Sequence, residues 1–470
     1  MKKLIFALSL MVIASMILAA CGTTATQTQA VPTQPAAAAP PTKVPPTKAP
    51  PTEVPPPAVP PTAVPTVPQL SGTVRIGSWD SADALTPFTN AIASFEAQYP
   101  GVKVELEDVP SGYGDKLLAE FASGTAPDIF QVGDGDVARF AAQGVFEPLD
   151  EYIAGTKGND PLDTSVFITA VSDIGKVGGT TYLLTKDSSP LVLYYNKTLF
   201  DAAKVAYPTA DWTWSDLVDA ATKLTVKDSA GKITQWGLQI PDGWGDWVWV
   251  RGLLPIIYQN GGDIISPDGK KVSGYLDSDA TIEALKWYTD LFLTAKVAPT
   301  KADVAALSGQ DLFQTGKVAM MWTGVWPLSG YMKDTTMNFG TAQLPTGKVR
   351  ANSICWAGFA MYSKGENKDA AWAFLRWIGA GPGAEEFANY ALTDVKAIAD
   401  KQGKTTDPYY ASVMSDLAVV HPLPDFTTMK FNDCLNTPFT QALEGFFTSG
   451  GDLKTIMTGV ATAADTCLGQ

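Results

Sequence analysis

Apolar and polar positions along this chain follow two periods, and the switch between them marks the elements. TVRIGSW (residues 73–79) reads as a buried strand, after which Leu85, Phe88, Ile92, Phe95 and Tyr99 recur three or four apart, as one face of a helix does. VKVELEDV (102–109) predicts a second strand, residues 113–122 a helix, and DIFQVG (128–133) a third strand. Strands and helices in alternation predict an α/β fold with a mostly parallel sheet covered on both faces. A second set begins at LVLYYN (191–196). It continues with a helix capped by Thr213, the strand WGLQI (236–240), helices near 247–259 and 282–293, and the strand KVAMMW (317–322). From Asp369 onward the pattern is mostly helical, most clearly in AAWAFLRWI (370–378). Two α/β lobes with more than one crossing between them is the economical reading, although periodicity does not locate the crossings.

The front of the chain is different in kind. Lys2 and Lys3 precede an apolar core from Leu4 to Leu18 and the small residues Ala19 and Ala20, the three parts of an export signal, so residues 1–20 are expected to be removed. Cys21 follows Leu-Ala-Ala and resembles the acylated cysteine of a bacterial lipobox, which predicts a lipid anchor on the outer face of the cytoplasmic membrane or at the periplasmic or cell surface; the bland alternative is an ordinary signal peptide beside a chance cysteine. The apolar stretch is short for a hydrocarbon core of about 30 Å. Residues 22–69 are Pro, Thr, Ala and Val in near-repeats. Proline fixes φ and lacks a backbone donor, so 21–70 is expected to be a lipidated cysteine and a semi-rigid extended linker.

Composition narrows the chemistry. A formal charge of −14 speaks against nucleic acid as a partner. All 13 tryptophans lie from Trp79 onward, in a segment long enough for a large core. The one histidine, His421 in VVHPLP, leaves no HExxH and no multi-histidine metal site, and it reads as a packed or surface loop residue. There is no P-loop and no GxGxxG, and DGD at 134–136 lacks the remaining ligands of a calcium loop. No catalytic residue, metal or cofactor is therefore expected. Only five arginines occur, which tilts the ligand away from anions and toward a neutral solute. With Cys21 taken by lipid, Cys355, Cys434 and Cys467 remain. Cys434 with Cys467 is the expected disulfide, the alternative being that all three stay reduced.

ASFEAQYPGVKVELEDV, LLAEFASGTAPDIFQVGDGDVARFAAQGVFEPLDEYI, LVLYYNKTLF, TWSDLVDAATKLT, NGGDI, LFQTGKVAMMWTGVWPL and KDAAWAFLRWI occur in this order from residue 73 to at least 388. Together they resemble the extracellular solute-binding proteins of family 1, the maltose-binding-protein-like receptors of ABC importers. The resemblance implies a two-lobe periplasmic-binding-protein-like fold with a hinge of crossing segments and ligand in the cleft. It puts 71–188 with 346–390 in the N-terminal lobe and 189–345 with 391–470 in the C-terminal lobe, with hinge segments at 187–191 and 344–347. It also implies a monomeric receptor for a carbohydrate, expected to be an oligosaccharide, that closes on its ligand and docks on ABC permease subunits.

Sugars are held by aromatic faces with carboxylates and amides around the rim, and such residues stand where strands end, where open α/β sheets place ligands. The candidates are Trp79, Asp80, Asp134, Trp244, Trp247, Trp322, Trp326 and Trp356, with Trp326 where the resemblance implies a stacking ring. Each strand-end tryptophan has a core alternative, and Asp134 and Asp136 have one as helix caps. Trp249, Trp287, Trp372 and Trp377 fall on helical faces and read as core. Two other functions stay open: a surface glycoside hydrolase, with Asp80 and Asp134 as the first carboxylate pair to try, and a cell-wall-binding lipoprotein.

Overall fold

The structure is a computed structural model and describes residues 70–469, less 159, 241–247, 249, 308–309, 422, 425–427 and 429. The calls on 1–20, on Cys21 and the linker, and on Trp244, Trp247 and Trp249 fall outside the described residues.

The strands, in chain order, are β1 (Gly72–Ser78), β2 (Val102–Asp108), β3 (Ile129–Gly133), a hairpin of β4 (Lys176–Val177) and β5 (Thr180–Thr181), β6 (Leu183–Pro190), β7 (Val192–Asn196), β8 (Val226–Lys227), β9 (Ile233–Gln239), β10 (Val318–Thr323), β11 (Phe339–Ala342), β12 (Asn352–Met361) and β13 (Val420–His421). One sheet runs β13-β12-β3-β1-β2 with β6 paired to β12; the other runs β11-β7-β10-β9-β8. The two sheets are the centres of two α/β lobes.

The expectation of mostly parallel sheets holds for β2-β1-β3 and for the short β12-β13 pairing and is corrected over most of the rest. β12 is antiparallel to both β3 and β6, and in the second sheet only β9 and β10 run parallel. The reason lies in how the chain changes lobes. β6 passes into β7 with Leu191 alone between them, and the return from β11 to β12 takes residues 343–351. A strand that leaves one sheet and another that comes back lie side by side in opposite directions, with no helical crossover to make them parallel.

Local sequence explains most helices. Thr213 accepts from the Asp216 N–H while the Asp216 carboxylate accepts from the Thr213 N–H at 2.8 Å, a capping box for the helix Trp214–Leu224. Phe88 and Phe95 on the helix Thr86–Gln98 and Trp372 and Phe374 on the helix Lys368–Gly379 fill the core beside the first sheet. Trp377 packs edge-on against Phe95, and Trp287 stacks on Trp214 at 4.3 Å. The largest buried cluster runs from the first sheet through Leu191 to the second. His421 is exposed, its ring 4.8 Å from Tyr258.

The tail departs from its expected assignment to the second lobe. The helix Lys396–Lys401 packs with the helix Pro382–Ala388 and with Phe167, because Val395 and Ile398 share an apolar cluster with Ala384 and Ala388 on the first lobe. Further on, Tyr409 stacks on Phe339 of β11 at 4.8 Å, and the last helix, Leu453–Leu468, reaches the helix Asp279–Leu293 of the second lobe. Cys434 and Cys467 are joined, closing a loop across a sequence separation of 33, and Cys355 stays outside the bridge.

Candidate functional site

Where β1 ends, Ser78 is buried and orients the next residues. Its Oγ donates to Gln131 Oε1 at 2.8 Å and accepts from the Asp80 N–H at 3.0 Å. Asp80 Oδ2 then accepts from Lys186 Nζ at 2.8 Å, and Asp187 Oδ2 lies 3.2 Å from the same nitrogen. The three side chains are 14%, 10% and 24% exposed. Burial by itself would lower the Lys186 pKa, but Asp187 and Asp80 outweigh it and raise the group, so it stays an ammonium at neutral pH. Asp187 is raised by burial and by the like charge of Asp80, against the pull of Lys186. The result is a fixed cation between two acceptors, each with lone pairs left for hydroxyl donors.

The opposite wall comes from the second lobe. β10 is buried along its whole length and ends at Thr323; Gly324 to Pro327 turn back before the helix Leu328–Lys333. A Cβ on Gly324 would stand 1.9 Å from the Trp326 ring and 2.5 Å from Ser189 Oγ, so only glycine lets the indole fold there. Ser189 Oγ accepts from the Val325 N–H at 2.8 Å, tying β6 to this turn. Between floor and wall is a cavity of about 380 Å³ bounded by Asp80, Lys186, Asp187, Trp326, Pro327 and Tyr390, among others. A larger cavity, about 500 Å³, lies within residues 150–185 of the first lobe, away from Trp326.

Of the sequence candidates, Asp80 and Trp326 line the cleft cavity. Trp79 stands beside it, edge-on to Tyr113 at 5.6 Å and 5.9 Å from Lys186 Nζ. Trp322 is corrected to a core residue: it is 0% exposed in a strand covered on both faces and offers no surface to a ligand. Trp356 is corrected likewise, 3% exposed with its Nε1–H donating to Thr185 Oγ1 at 3.2 Å. Asp134 is in a short helical turn after β3, and Asp136 pairs with Arg139 at 2.5 Å. The candidates Trp244 and Trp247 lie outside the described residues. Lys186, Asp187 and Tyr390 were not among the candidates. The signal for the first two was there, an adjacent charge pair inside the apolar run LLTKDSSPLVLYY; Tyr390 has none.

Both passages between the lobes are braced by aspartates from the tail. Asp394 Oδ1 accepts from Ser188 Oγ at 2.6 Å, while the Ser188 N–H donates to Leu392 O at 3.2 Å. Burial pushes the Asp394 carboxyl up to about 7, opposed by the Ser188 and Thr185 hydroxyls and assisted by Asp187. Among the described residues its Oδ2 is buried with no hydrogen-bond partner. Asp416 accepts from Gln343 at 2.8 Å and from Asn352 at 3.0 Å, with Arg350 at 3.6 Å. Asn352 also donates to Leu191 O at 2.8 Å, so this cluster touches both passages.

Residues 78–385 match the family model of the bacterial extracellular solute-binding proteins. A putative binding protein of Brucella abortus is 29% identical over 314 residues, 66% of this chain and 72% of that one. The maltotriose-binding protein of Pyrococcus abyssi is 26% identical over 319 residues, 66% of this chain and 63% of that one. Among solved structures, an ABC substrate-binding protein of Listeria monocytogenes in complex with cycloalternan superposes with a TM-score of 0.73 at 26% identity, covering 85% of this chain and 99% of that one.

Proposed function

The chain belongs to the bacterial extracellular solute-binding proteins, and from that premise we propose that it is an exported, lipid-anchored receptor that delivers a carbohydrate to an ABC importer. The observation that carries the reading is the cavity between Trp326 on one lobe and the Asp80–Lys186–Asp187 floor on the other. An indole face suits the apolar side of a sugar ring, and paired carboxylates suit its hydroxyls. Ligand touching both walls would bind the closed arrangement better than the open one, which is the condition for a solute to drive lobe closure. No step of bond cleavage is assigned: Asp80 and Asp187 are both ion-paired to Lys186. The anchor at Cys21 and the proline-rich linker complete the reading, keeping the receptor near its permease.

Maltotriose is the first ligand to test. Calorimetric titration and thermal melting should show saturable binding and a raised Tm, as ligand linkage requires. Trp326→Ala should weaken the affinity by at least about tenfold, or 1.4 kcal/mol. No response to maltotriose or to a wide panel of mono- and oligosaccharides would remove the carbohydrate reading.

A further inference from the structure

The cavity of about 500 Å³ in the first lobe is separate from the cleft: Thr185 lines it and the next residue on β6, Lys186, lines the cleft cavity, but no residue lines both. One side of it is built by a tight turn. Lys176 pairs with Thr181 and Val177 with Thr180, so β4 and β5 are joined by Gly178 and Gly179 alone, at φ 59° and 87°. A two-residue turn with both φ positive matches the twist of its strands, and glycine adopts it without strain. The turn sets Lys176 beside Thr181, and Thr181 in turn fastens the start of the helix Asp150–Ile153. Its carbonyl accepts from the Leu149 N–H at 2.8 Å, and its N–H donates to both Asp150 oxygens at 3.3 Å.

The groups at this end of the cavity suit a cation. Among the described residues Asp150 is ion-paired to no lysine or arginine. Lys176 also lines the cavity but does not neutralise Asp150, because its Nζ is held by Asp173 Oδ1 at 2.6 Å. Asp150 and Asp173 against Lys176 leave the lining one negative charge in excess. Thr181 is 9% exposed and its hydroxyl makes no hydrogen bond among the described residues, so a buried polar group meets the cavity without a partner. Phe167 and Leu183, both buried, supply apolar wall, with Ile153 and Ala154 beside the Asp150 end of the helix. A volume of this size, apolar walls and a few convergent polar groups are the features of a small-molecule pocket.

We propose that this cavity is a second binding site, independent of the cleft, for a small organic amine whose ammonium donates to Asp150 and to the Thr181 hydroxyl while its hydrocarbon body packs on Phe167 and Leu183. An ammonium brings donors and a charge, and both are what this end of the cavity leaves unmatched. A neutral alcohol would leave the Asp150 charge unmet, and an anion would be repelled by it. The site stands apart from the carbohydrate reading and does not depend on it.

The test is calorimetric titration of the full chain with phenethylamine and with isoamylamine, both of which should bind saturably. Phenethyl alcohol, the same body with a hydroxyl in place of the ammonium, should bind about tenfold more weakly or worse, since a hydrogen bond between charged groups is the stronger kind. Asp150→Asn should cost the amines a similar factor and Thr181→Val a smaller one, with melting curves to report that the variants fold. Trp326→Ala, in the cleft, should leave amine affinity unchanged. Absence of saturable binding by both amines overturns the site, and so does equal affinity for amine and alcohol. Amine affinity that survives Asp150→Asn in a folded variant also overturns it; where that variant fails to fold, undiminished affinity in Thr181→Val has the same force. Loss of amine binding in Trp326→Ala would put the amine in the cleft and end the claim of a second site.

Discussion

Asp394 and Asp416 are the same residue type, each 2% exposed, each reaching from the tail to a passage between the lobes. Their surroundings differ in the kind of donor. Asp416 has two amides on its oxygens and a guanidinium close by, whereas Asp394 has only the hydroxyls of Ser188 and Thr185 acting on it and, among the described residues, no hydrogen-bond partner on Oδ2. Both are raised by burial. The comparison teaches that burial sets the direction in which a carboxyl moves, while the donors around it oppose that shift. Asp416 is a node that holds Gln343, Asn352 and Arg350 together; Asp394 is a latch whose carboxyl burial pushes up to about 7.

Asp416→Ala should break the comparison most severely. It takes the shared acceptor from the amides of Gln343 and Asn352 and from the nearby Arg350, although Asn352 keeps Leu191 O and Arg350 keeps the carbonyls of Leu344 and Ala210, and loss of a buried hydrogen-bonded carboxylate costs about 3 kcal/mol. Urea unfolding should show the midpoint fall at unchanged slope. If Asp416→Ala proves no more destabilising than Asp394→Ala, the kind of donor does not govern the difference.

Proton linkage gives the next effect. The native Asp394 carboxyl holds its proton up to about pH 7, while in the unfolded chain it loses it near the ordinary value of 3.8. Between those limits the folded form binds more protons, so this group's contribution to stability is largest at the acid end and declines as pH rises toward 7, then levels off. The decline is roughly 4 kcal/mol for three pKa units. Glu96 and Glu107 are lowered in the fold and act in the opposite sense, losing stability as pH falls. The difference between the wild type and Asp394→Asn isolates the latch: the asparagine variant should gain relative to wild type from pH 5 to pH 8. A difference that stays flat over that range would refute the assignment.

Ser188→Ala should be the mildest. It removes the hydroxyl at Asp394 Oδ1, a bond worth about 1.5–3 kcal/mol to an ion and about 1 kcal/mol to a neutral acid. The variant should therefore lose more stability at pH 8 than at pH 5, and equal losses at both would show that Asp394 keeps one protonation state throughout.

The sequence carried the lobes better than the cleft. Element order followed from the two periods, since burial of one helix face or of a whole strand leaves a local imprint. β10 shows where the imprint fails. Every residue from Val318 to Thr323 is buried, so alternation cannot say which face Trp322 occupies, and a strand-end position alone did not distinguish it from Trp326 four residues on. The chain direction of β6 and β12 was also beyond reach, because it depends on how two distant segments meet. Lys186 and Asp187 were legible as a charge pair in an apolar run. Asp394 and Asp416 were not: their partners lie 206, 73 and 64 residues away, and nothing local marks an aspartate for the interior.

The bridge between Cys434 and Cys467 ties the end of the chain to the chemistry of its surroundings. Two sulfurs can join there only where an electron acceptor is at hand, as it is outside the cytoplasm. A copy retained among intracellular reductants would keep both as thiols and forgo about 4 kcal/mol of loop constraint. Its last helix would then be held by packing, by the Asp465 carboxylate on the Val272 and Ser273 N–H groups and by the Lys454–Asp279 pair, so recombinant material prepared in the cytosol and material harvested after secretion should differ first at the C-terminus.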